Sequence, residues 1–255
     1  MPNTKKPYRI TADCAGLTLL EIMVGIAIFG IAMGSIYGAY RGQLRSYVTN
    51  QQLAEMQQVL RSISQIMQVD IRMAGTNPTK TATTGITTAN ANSITLRMDF
   101  TNPDAQDGED DDSINGADDP GEAGGDGVCD IGLGEVITYR LEGTELKRTT
   151  PATPAVDTPS LIASNIEAMN FVYLDADGKR LEDDAAGNVV ASIPLIRAIQ
   201  VTLVMRAGKN VPVLMYKYTD NTEYQNQFKD TIFGPAGDQF RRASLSFEVK
   251  CKNLS

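Results

Sequence analysis

Glu21 is the one charged residue between Asp13 and Arg41, set in an apolar run that opens LTLL and continues IMVGIAIFGIAMGSIYGAY. A carboxylate at the centre of a membrane helix costs about 2.5–3.5 kcal/mol, and less near an end. An ion pair would offset that cost. If the chain were cut after Gly16, Leu17 would carry a cationic α-amine, and a carboxylate four residues on could neutralise such an amine on a neighbouring subunit. The alternative is that Glu21 lies at headgroup level and favours the positive end of the helix dipole. A second group of candidates is Asp107, Glu109, Asp110, Asp111, Asp112, Asp118 and Asp119, crowded onto a glycine-containing segment. Hard oxygen ligands on a flexible loop suit Ca²⁺. Their spacing does not match an EF-hand, and a solvated acidic loop is the alternative.

The rest of the catalytic vocabulary is thin. The 255 residues include no histidine, which removes Ser-His-Asp and Cys-His nucleophile systems and imidazole zinc sites. Cys14, Cys129 and Cys251 are too far apart in sequence for a CxxC knuckle or redox pair. Lys and Arg total 23 against 31 Asp and Glu, and a net charge of -8 argues against nucleic-acid binding by phosphate neutralisation. The paired carboxylates stand in a loop without apolar walls to shift their acidity, so no enzyme and no resident cofactor is expected, Ca²⁺ on that loop apart.

The elements that must position these residues begin with a helix. At about 1.5 Å per residue, Leu17–Tyr40 spans roughly 36 Å, enough to cross a hydrocarbon core of roughly 30 Å. Residues 1–16 hold Lys5, Lys6 and Arg9 against Asp13, so the positive-inside rule keeps them cytoplasmic and exports the remainder of the chain, although Arg41 and Arg45 weaken the asymmetry. A cleaved secretory signal would need a small-residue site after the apolar run, and none precedes Arg41. A lipoprotein reading of Cys14 fails because no hydrophobic segment precedes it. Gly25, Gly30, Gly34 and Gly38 lie inside the span, the last three at four-residue spacing. Small residues let membrane helices approach closely, at about 1 kcal/mol each of lost helix propensity relative to Ala. The frequency of glycine in membrane helices explains any one of them equally well.

Leu53, Met56, Leu60, Ile63, Met67 and Ile71 then recur by threes and fours, and Gly75 with Asn77-Pro78 ends the run. This predicts one helix from about Leu17 to about Ala74, apolar in its first half and amphipathic in its second. Beyond it the period changes to two. Ile94, Leu96 and Met98 alternate with polar residues, as do Ile137, Tyr139 and Leu141; LEGTEL reads as a hairpin and Ile166–Leu174 as a strand ending in the turn DADG. Ile199, Val201, Leu203 and Met205 face one way, Gln200 and Thr202 the other; Leu245, Phe247, Val249 and Cys251 face inward on the last strand. Residues 102–134 and 219–239 are polar insertions. The expected fold is α+β, an antiparallel sheet packed on the amphipathic half-helix.

The pattern G-LTLLE-IMVGIAIFGIAMG resembles the class III signal of type IV prepilins and type II secretion pseudopilins. The resemblance implies that Gly16 precedes a prepilin-peptidase cut, that Leu17 becomes the N-methylated terminus, and that Glu21 serves subunit assembly. Leu17 stands where Phe is commonest, and Asp13-Cys14-Ala15 replaces the usual basic residues before the glycine. SQIMQVDIRMAGTNP resembles the end of the long helix in PilW-type minor pilins, and GEVITYRLEGTELKRTT and SFEVKCKNL continue the likeness loosely.

Taken together, the resemblance implies a leader over 1–16, a membrane and assembly helix over 17–40, its amphipathic continuation over 41–78 and a β-rich exported domain over 79–255. Implied partners are prepilin peptidase, major and other minor pilins and an inner-membrane assembly platform. The implied location is a single-pass inner-membrane precursor with a periplasmic domain, then the pilus. A J-type pseudopilin and a calcium- or surface-binding adhesion module on a pilin stem are the competing readings. Cys14 would leave with the leader, and an oxidising periplasm would favour a Cys129–Cys251 bridge, with a buried free thiol at Cys251 as the alternative.

Overall fold

The computed structural model describes residues 16–78, 80–100, 128–129, 134–150, 159–208 and 218–254. Helix α1 runs over Leu19–Met73, 55 residues, close to the expected span. The chain divides into two compact units, the first ending at Val48 and the second beginning at Thr49. The first unit holds the apolar part of α1, whose membrane-length window contains no buried residue.

In the second unit the amphipathic stripe does what its period requires. Met56, Leu60, Ile63, Met67 and Ile71 are buried in the main core, each burial contributing about 1.5–3 kcal/mol. Leu53, expected on the same stripe, stays exposed. The helix ends at Ala74-Gly75, where Gly75 adopts φ +84° and a β-carbon would lie 2.7 Å from the Asn253 carbonyl oxygen. Asn253 Nδ2 donates to the Arg72 carbonyl and to Thr76 Oγ1, each at 3.0 Å, satisfying a terminal helix acceptor.

Where one sheet was expected, there are two main sheets. The first is an antiparallel meander of β1 (Gly85–Ala89), β2 (Ser93–Arg97), β3 (Val136–Glu142), β4 (Glu145–Thr149) and β5 (Pro159–Ser164), in that order. Gly143, at φ +61°, opens the two-residue loop joining β3 to β4. Asn165, at φ +63°, breaks the chain between β5 and β6 (Ile166–Leu174), which starts the second sheet. That sheet orders β11 (Arg242–Lys250), β8 (Ala198–Arg206), β6 and β7 (Arg180–Leu181), all antiparallel. The DADG turn forms as expected, with Asp175 Oδ1 accepting from the Asp177 and Lys179 amides.

Strand β8 departs from simple alternation. Ile199, Val201 and Leu203 face the main core, but Thr202 and Val204 on the opposite face are buried as well. The segment 218–240 covers that outer face rather than forming a free excursion. It carries the short pair β9 (Tyr224–Gln225) and β10 (Thr231–Phe233). Asn226 Nδ2 ties it to Asn170 of β6 at 3.1 Å.

Candidate functional site

The first unit carries the residues that the cleavage and assembly reading singles out. Gly16 and Leu17 are exposed and precede the helix. Thr18 caps it: its Oγ1 accepts from the Glu21 amide at 3.2 Å, while Glu21 Oε2 accepts from the Thr18 amide at 3.0 Å and from the Thr18 hydroxyl at 3.1 Å. This reciprocal T-x-x-E arrangement is a capping box. Glu21 therefore closes the free amino end of its own helix within the isolated chain, and its carboxylate stays at that end. The capping role of Thr18 was legible in the T-x-x-E spacing but was not among the expected site residues.

Among the described residues, nothing outside the helix's own backbone lies within 4 Å of the place a β-carbon would occupy at Gly25, Gly30, Gly34 and Gly38. Ser35 Oγ donates back to the Ile31 carbonyl at 3.0 Å, so its hydroxyl is satisfied inside the apolar span.

The second unit holds two buried polar constellations that sequence reading missed. Asp70, within the DIRMAG stretch, points from α1 into the first sheet. Its Oδ2 accepts the Tyr139 hydroxyl at 2.5 Å and Arg148 Nε at 2.8 Å, joining helix, β3 and β4. Burial first, then the Asp70 charge, pushes the Tyr139 phenol well above its ordinary range. The other constellation is on the outer face of the second sheet. Arg242, its side chain 1% exposed, donates to Asp220 Oδ2 at 3.1 Å and to both Asp238 oxygens at 2.7 and 2.6 Å. It also pairs with Glu167 of β6 and lies 5.1 Å from the Phe233 ring centroid. With a guanidinium at its centre, this cage of carboxylates closes the segment 218–240 onto the sheet and is no cation site.

The expected Cys129–Cys251 bridge is not made, and both residues are buried free thiols. Cys129 Sγ donates to the Thr83 carbonyl at 3.3 Å, whereas Cys251 packs in the main hydrophobic core. Each thiol thus has its own surroundings, and burial pushes the Cys251 thiol up to about 12. Asp107, Glu109, Asp110, Asp111, Asp112, Asp118 and Asp119 lie outside the described residues. Among the described residues no three Cys, Asp or Glu side chains converge as a metal site.

Residues 11–37 match the prokaryotic N-terminal methylation motif. The match takes in Gly16, Leu17, Glu21 and most of the apolar helix. A solved type IV-like pilin from Thermus thermophilus aligns over 78% of this chain and 96% of its own, at a TM-score of 0.46 and 12% identity. No curated protein matches the chain. Helix α1 is long and apolar enough in its first part to cross a membrane.

Proposed function

We propose that this chain is a minor pilin, a structural subunit rather than an enzyme. It is made as a single-pass inner-membrane precursor with its β-rich domain in the periplasm. Prepilin peptidase cuts between Gly16 and Leu17, Leu17 is N-methylated, and the apolar helix packs into a type IV pilus. The observation that carries this reading is the methylation motif over residues 11–37, continuous with an apolar helix that is exposed on every side in the isolated chain. The looser likeness of the DIRMAG region to PilW-type subunits supports a role in starting assembly or at the tip, rather than as the bulk subunit. In the filament Glu21 would exchange its contacts with Thr18 for the methylated amine of a neighbouring subunit. Loss of water around the pair then makes the attraction stronger than at an exposed surface.

The test is to recover the native polypeptide and the cell-surface filaments. A mature terminus at N-methyl-Leu17 and presence in sheared filaments are the expected results. A terminus at Met1, or a cut beyond Tyr40, overturns the proposal. Retention in the periplasm with a secretion defect on deletion would assign the chain to the J-type pseudopilins instead. Melting that shifts with calcium and reverts with chelator would favour the adhesion-module reading.

A further inference from the structure

We draw no further inference here: the strongest candidate, the outer edge of β11 on the second sheet, where no described strand pairs with Arg242–Lys250 on the side away from β8, is an unpartnered sheet edge, and nothing in the structure shows what covers it.

Discussion

The Tyr139 hydroxyl donates to Asp70 Oδ2 at 2.5 Å, and Arg148 Nε approaches the same oxygen at 2.8 Å. One carboxylate on the helix thereby takes a donor from each of two adjacent strands. Because the side chains are largely removed from water, loss of any member leaves a polar group without its match. Tyr139→Phe should destabilise the second unit by about 1–3 kcal/mol. Asp70→Ala should cost more, since it strands both Tyr139 and Arg148. Urea midpoints of the detergent-solubilised protein check the order; equal midpoints for the native chain and Asp70→Ala would contradict it.

Arg242 is the second anchor. Removing it as Arg242→Ala leaves Asp220, Asp238 and Glu167 facing one another, at a cost of about 3–5 kcal/mol. Arg242→Lys retains the charge but loses the fork that serves both oxygens of Asp238, and should fall between native and Ala. Limited proteolysis should cut first within 218–240 in both variants. Unchanged cleavage there would show that the cage does not hold the segment.

Acid should loosen the turn at 183–192. Asp183 accepts the Ser192 amide and hydroxyl and the Val190 amide, which hold its carboxyl at about 2 against an ordinary 3.8. The folded value is the lower one, so this stabilisation is present above about pH 4 and is lost as pH falls toward 2. Thermal melts of native protein and Asp183→Asn should differ above pH 4 and converge near pH 2.

At the amino end, Gly16→Ala should slow leader removal and larger residues should block it, read as precursor size on gels. Glu21→Ala should be cut normally yet be depleted from sheared filaments. Thr18→Ala removes only one partner of the capping box, about 1 kcal/mol of helix-end stability, and should leave filament entry nearly unchanged. A filament defect in Thr18→Ala equal to that of Glu21→Ala would shift the role of Glu21 from intersubunit pairing to capping.

If the leader is removed as proposed, the two remaining thiols, Cys129 and Cys251, should resist maleimide in the folded state. Cys251 is the slower, since burial holds it up at about 12 and so scarcely populates its thiolate. Mass spectrometry after denaturation should count two additions; none would show that the cysteines pair in the native compartment.

Periodicity made α1 and its buried stripe legible, because Met56, Leu60, Ile63, Met67 and Ile71 must all lie on one face of any helix that contains them. The strands Ile166–Leu174 and Ala198–Arg206 were legible for the same kind of reason. What periodicity does not encode is pairing across distance. Asp70 and Arg148 are 78 residues apart and Glu167 and Arg242 are 75 apart, so neither ion pair leaves a local mark. Arg242 sits on the outward parity of its strand, where a charged residue ordinarily implies water. Only the covering segment 218–240 makes it interior. The division into two sheets was hidden likewise, since it turns on the backbone at Asn165, which no hydrophobic period reports.

Asn253 fastens the end of α1, and Val249 of β11 and Cys251 just after it join the same core as Met56 and Ile71. The helix leaves the ribosome long before those partners do. Its apolar stripe must wait, shielded, until nearly the whole chain has been made. A stop codon or lesion that removes residues 242–254 would therefore leave the stripe of α1 uncovered and the second unit without a finished core.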